Sequence, residues 1–168
     1  MAWNIPGLTS RGSGLRISKE FTGDTMDERN KQEQHITEIL GADNLAVTLE
    51  SLTLYRDYLR KNLDTPCTMT GIEDFPWEEK YVFGYNDKTE YETLKKKQPS
   101  YTDTYELKRF EDLIDEGTGI LVKVKRVNDN QRFILDLASL KAIDETSKNY
   151  ALLNDYSTWF VNYRNFVS

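Results

Sequence analysis

The stretch from Gly119 to Leu137 constrains the fold more than any other part of this chain. Ile120, Val122 and Val124 alternate with Leu121, Lys123 and Lys125, and Phe133, Leu135 and Leu137 alternate with Ile134 and Asp136. A period of two puts one apolar set on a single sheet face, and Asn128-Asp129-Asn130 between the halves supplies turn residues. The segment is therefore predicted as an antiparallel β-hairpin. A hairpin with one apolar face needs a cover. Leu152, Tyr156, Trp159 and Tyr163, with Leu153 and Phe160 beside them, recur at the spacing of one helical face between about Ser147 and Phe166. Burying each large side chain stabilises by about 1.5–3 kcal/mol, so this closing helix is expected to pack on the sheet. The fold class that follows is α+β.

Helices are also expected upstream. Leu52, Tyr55, Leu59 and Leu63 recur in steps of three and four, predicting a helix from about Leu49 to Leu63 that ends before Pro66. A first helix is predicted from Met26 to Leu40, with Thr25 and Glu28 at capping-box spacing and Gly41 as its stop. Residues 1–24 hold Gly7, Gly12, Gly14 and Gly23 among Arg11, Arg16 and Lys19, and read as a flexible, mildly basic arm. Within it, only Leu15 to Phe21 offers an added strand.

After Pro66 the punctuation shortens. Cys67 to Thr70 predicts a strand ended by Gly71, and Tyr81 to Tyr85 a second strand on its aromatic and β-branched content. Lys88 to Lys97 reads as a short charged helix before Pro99. Thr104 to Phe110 reads as extended, with a helix over Glu106 to Ile114 as the competing reading. The resulting organisation is an arm over 1–24, a helical segment over 25–65, and an acidic β-domain with a C-terminal helix over 66–168.

Composition then excludes several kinds of function. With one cysteine, Cys67, and one histidine, His35, neither an internal disulfide nor a multi-histidine or multi-cysteine metal centre can form. A reducing cytoplasm is the default for such a chain. The net charge of −6 disfavours nucleic acid and anionic lipid as partners, and no run of about 18 apolar residues would span a membrane. No phosphate-binding loop, dinucleotide fingerprint or nucleophile elbow occurs. A Cys67–His35 dyad is formally possible, but nothing local supports it. No enzyme activity is expected.

The acids are unevenly placed. Residues 71–120 hold 13 acids and 7 bases, so this block carries a charge equal to that of the whole chain. Glu73, Asp74, Glu78 and Glu79 crowd one loop, and Asp112, Asp115 and Glu116 another. Calcium takes about 6–8 oxygen ligands from carboxylates, carbonyls and water, a demand that two such loops brought together would meet without histidine or cysteine. There is no EF-hand loop. Paired carboxylates also serve glycoside hydrolysis, a weaker use of these residues in a chain this small. An acidic run can equally be a solvated face.

The run Tyr55-Arg56-Asp57-Tyr58-Leu59-Arg60-Lys61-Asn62-Leu63-Asp64-Thr65-Pro66-Cys67 resembles the helix-to-strand passage of the small bacterial CcbP-like calcium-binding proteins. The Gly71 to Gly84 segment, the Gly119 to Leu137 hairpin and the Asn149 to Tyr163 helix are similar to later parts of that family, so the likeness covers roughly residues 50–165. It implies a small antiparallel SH3-like β-barrel with flanking α-helices. It also implies Ca²⁺ held at an acidic surface, in the manner of a cytoplasmic buffer or sensor. Carried over by loop, the ligands would be Glu73, Asp74, Glu78 and Glu79, then Asp112, Asp115 and Glu116. The chain departs from the family by an inserted charged segment around Lys88 to Lys97. The alternative is a protein-interaction module presenting Trp77, Tyr81, Tyr85 and Tyr101, since aromatic residues are enriched at interaction hot spots. An open groove shared by Trp77 and Tyr101 would favour that second reading.

Overall fold

A computed structural model describes residues 14–84 and 87–164. Residues 1–13 of the expected arm, Tyr85 and Phe166 lie outside the described residues. The elements run α1 (Gly14–Leu40), α2 (Leu49–Asn62), β1 (Thr68–Gly71), α3 (Glu79–Val82), α4 (Lys88–Lys95), β2 (Tyr105–Asp115), β3 (Gly119–Arg126), β4 (Arg132–Asp136), β5 (Leu140–Ala142) and α5 (Lys148–Tyr163). Short 3-10 turns at Ala42–Asn44, Pro76–Glu78 and Leu137–Ser139 join some of them.

The strands form one antiparallel sheet in the order β4-β3-β2-β1-β5. The hairpin expectation holds in register: Val122 faces Leu135 and Val124 faces Phe133. Ile120, Val122 and Val124 are fully buried. Between Glu106 and Ile114 the extended reading prevails over the helical one. β2 covers the whole of it, with register shifts between Leu107 and Arg109 and between Phe110 and Ile114 that bend the strand.

An SH3-like barrel is not what forms. β4 and β5 are the two rims of the sheet, and they do not pair. Only the Leu137–Ser139 turn separates them in sequence, so the sheet must curl sharply to bring the rims round. Where a barrel would close by hydrogen bonding, α5 packs instead against β5 and the turn. Its Ser157 hydroxyl donates to the Ala138 carbonyl at 3.1 Å. The closing helix thus packs on the sheet as expected, at its β5 end.

α5 begins at the cap Ser147, which accepts from the Tyr150 N–H at 3.1 Å, and buries Leu152, Leu153, Tyr156, Trp159 and Phe160. Gly119 explains how closely it approaches β3. Its φ is +86, and a Cβ there would lie 2.5 Å from the Tyr156 hydroxyl and 2.9 Å from the Phe160 ring. α2 starts with a reciprocal cap: Thr48 Oγ1 accepts from the Ser51 N–H at 3.1 Å, and Ser51 Oγ accepts from the Thr48 N–H at 2.9 Å. Leu52, Tyr55 and Leu59 enter the core, as their spacing requires.

Two expected boundaries differ. α1 starts at Gly14, ahead of Met26, so Thr25 lies inside the helix and does not cap it, and Leu15 to Phe21 is helical. A glycine within a helix costs only about 1 kcal/mol relative to alanine, which is too little by itself for Gly23 to end α1. Tyr81 to Gly84 is not a strand. Pro76 opens a 3-10 turn, Glu78 bonds back to the Phe75 N–H at 3.2 Å, and the chain continues into α3. Tyr81 then stacks on Tyr91 of α4 at 5.1 Å between centroids.

Candidate functional site

The acidic loop after β1 is shaped by the one member that is withdrawn from solvent. Glu78 is fully buried. Its Oε1 accepts from the Phe75 N–H at 3.2 Å and the Tyr101 N–H at 2.9 Å. Its Oε2 accepts from the Ser100 hydroxyl at 2.6 Å and the Tyr91 hydroxyl at 2.8 Å. Four donors satisfy this carboxylate, so it binds protein, not an ion. Burial, with the Glu78 bond second, pushes the Tyr91 phenol above its ordinary value and keeps it a donor. Trp77 Nε1 adds a bond to the Pro99 carbonyl at 2.7 Å. Gly71 lets the two strands of backbone meet, since a Cβ there would lie 2.6 Å from that of Tyr101.

With Glu78 turned inward, Glu73, Asp74 and Glu79 are left on the outside. They line a groove of about 600 Å³ between this loop and α5, joined there by Asp136 from the end of β4. Phe75, Ala138 and Phe160 form part of its walls, with Asn154, Asn162 and Arg164 along α5. The carboxylates of Glu73, Asp74 and Glu79 have no hydrogen-bond or ion-pair partner among the described residues. Asp136 accepts from the Ser139 hydroxyl at 2.6 Å. Sequence reasoning missed Asp136, which stands alone at a strand end outside either acidic run. Its place in the alternating pattern, polar between apolar neighbours, was the available signal.

The second acidic run lies elsewhere and lines no part of this groove. Asp115 accepts from the Thr118 N–H at 3.1 Å and its hydroxyl at 3.0 Å, shaping the β2–β3 turn. Glu116 accepts from the Leu49 N–H at 3.1 Å, at the N-terminus of α2 where a negative charge is favoured. Asp112 is exposed, and its carbonyl receives Arg56 at 3.0 Å. The structure therefore brings together three of the seven expected ligands. Among the described residues, no three acidic, histidine or cysteine side chains are gathered closely enough to form a metal-binding group.

Of the four expected aromatic residues, Trp77 and Tyr81 meet edge to face at 6.3 Å between ring centroids, and Tyr85 lies outside the described residues. Trp77 and Tyr101 are half-buried and pack against the core. Phe83, outside the expected set, is 78% exposed. The Cys67–His35 pair does not form: His35 Nδ1 lies 2.9 Å from Asp155 Oδ2 and Nε2 lies 3.1 Å from the Tyr58 hydroxyl, tying α1, α2 and α5 together. Cys67 is buried, and burial pushes its thiol up to about 11. No described helix is long and apolar enough to cross a membrane.

The chain is thus an α+β protein with an open antiparallel sheet, a helix packed at its β5 end and an acidic groove beside that helix. The crystal structure of Anabaena CcbP is similar over 80% of this chain and 94% of that chain, with a TM-score of 0.51 and 17% sequence identity. At that identity the likeness is one of fold. No family model and no curated protein matches the chain.

Proposed function

We propose that this chain is a non-enzymatic calcium-binding protein whose ion is recruited by the groove between the 72–79 loop and α5. The supporting observation is that Glu73, Asp74, Glu79 and Asp136 line one groove. The calcium that the sequence resemblance implies has matching donors there. The side chains are hard oxygen donors, and Asn154, Asn162 and Ser139 add neutral ones.

The residues would work in different ways. Glu73, Asp74 and Glu79, free of partners among the described residues, are the side chains able to move toward an ion. Asp136, held by Ser139, is the fixed one. Because the donors are spread out, water must supply the rest of the shell. Arg164 on the same groove opposes part of the negative field. Both features favour weak binding, about 10⁻⁴–10⁻³ M, the low-affinity end of calcium sites.

Calorimetric titration with Ca²⁺ at physiological salt tests this. The parent should give a saturable heat, and Asp74→Asn with Glu79→Gln should abolish most of it. Asp112→Asn should leave it unchanged. No heat at millimolar ion would dispose of calcium binding, whereas parent-like binding by the double variant would dispose of this groove.

A further inference from the structure

The same groove has a property that a metal site does not need. Its lining is apolar as well as acidic: Phe75 and Phe160 are buried, while Ile72 and Val161, which also line it, are 45% and 55% exposed. Single exposed aliphatic residues are ordinary on protein surfaces. Two of them in one cleft of about 600 Å³, within the usual size of ligand clefts, are a different matter. Around them stand Glu73, Asp74, Glu79 and Asp136 against one cation, Arg164, whose guanidinium lies 5.3 Å from the centre of the Phe160 ring. We propose that this groove docks a short basic, amphipathic segment of a partner protein.

The chemistry of the occupant follows from the lining. A small cation would use the carboxylates and gain nothing from Ile72 and Val161. An uncharged apolar segment would bury those two and leave unpaired carboxylates beside it, at a desolvation cost. Lysine or arginine alternating with aliphatic residues satisfies both. Asn154 and Asn162 are exposed on α5, so their amides can bond to the backbone of such a segment. The opposite charges would also speed encounter and make it depend on salt. This inference needs no metal and stands whether or not calcium binds.

The test uses a fluorescein-labelled synthetic peptide of lysine, arginine and leucine, followed by fluorescence anisotropy with the full chain in EDTA. Saturable binding that weakens with salt is expected. Replacing its leucines by serine, or its basic residues by glutamate, should weaken binding by about tenfold or more. On the protein, Asp74→Asn with Glu79→Gln, and separately Val161→Ser, should each weaken it by about tenfold. Asp43→Asn with Asp112→Asn makes the same charge change away from the groove and should retain parent affinity. Amide NMR shifts on the unaltered chain should centre on residues 72–79 and 154–164. If the distant pair of substitutions weakens binding as much as the groove pair, the attraction is only the overall negative field. That result, a serine peptide that binds equally well, or shifts centred elsewhere would each overturn the docking site. Because EDTA is present throughout, a failure of calcium binding leaves this result readable.

Discussion

Tyr55 and Tyr156 sit 5.2 Å apart, ring centre to ring centre, and both are fully buried, yet their hydroxyls are treated oppositely. The Tyr156 oxygen accepts from the Ile120 N–H at 2.9 Å, whereas the Tyr55 oxygen has no partner among the described residues. Burial holds both phenols above their ordinary value, so neither ionises in the working range. Removing an unpartnered buried hydroxyl relieves a desolvation penalty, while removing the other strands a buried donor. Tyr55→Phe should therefore stabilise by about 1 kcal/mol, and Tyr156→Phe should cost about 1–3 kcal/mol, read from urea denaturation midpoints. Equal effects would show that hydrogen bonding does not separate the two. The same scale shows where the sequence misleads. Glu78 looks like Glu79, its neighbour, in any count of acids. Three of its four donors come from Tyr91, Ser100 and Tyr101, more than ten positions along the chain, and only folding reveals them.

Among the elements, the C-terminal end of α4 and the residues just after it are bonded by Arg126 of β3. Arg126, 2% exposed, donates to the carbonyls of Lys95 and Gln98, each at 3.0 Å, and of Lys96 at 2.9 Å. It also forms a two-pronged pair with Asp129 at 3.0 and 2.9 Å and meets Asp103 at 2.9 Å. These bonds to Arg126 hold the Asp129 carboxyl well below its ordinary value of 3.8. A carboxyl depressed by folding takes up protons more readily in the unfolded chain. Its contribution is complete above the ordinary aspartate value and is lost as pH falls through the folded one. Stability should accordingly decline below about pH 4, and Asp129→Asn should flatten part of that decline while lowering stability at neutral pH. A parent and variant with parallel pH profiles would refute the linkage. Local periodicity made α2, α5 and the β3–β4 hairpin legible, because each buries one face at a fixed repeat. It failed at Tyr81 to Gly84, where aromatic content suits a strand but Pro76, Glu78 and the Tyr91 stack impose a turn and helix.

At the scale of the whole molecule, one buried cluster joins helices and sheet, and Trp159 is central to it. It is fully buried, lies 5.1 Å from the Tyr55 ring, and donates from Nε1 to the Leu45 carbonyl at 2.7 Å. Trp159→Ala should cost about 3–5 kcal/mol, and an unchanged denaturation midpoint would remove α5 from the core. The α+β class was legible from the pairing of an alternating hairpin with an aromatic helix. Whether the rims would meet was not, since that depends on how far the sheet curls and on what fills the gap. The groove was legible only in part for the same reason: one acidic loop, a strand end and a distant helix converge on it. The unclosed sheet has one further consequence. A barrel hides every strand edge, but here β4 and β5 each pair on one side only among the described residues, and an open edge is a template on which identical chains can polymerise. β5 offers only three residues for such growth, and β4 carries Arg132 and Asp136 at its two ends. Identical chains stacked along the β4 rim would bring like charges together at Asp136, which opposes such growth.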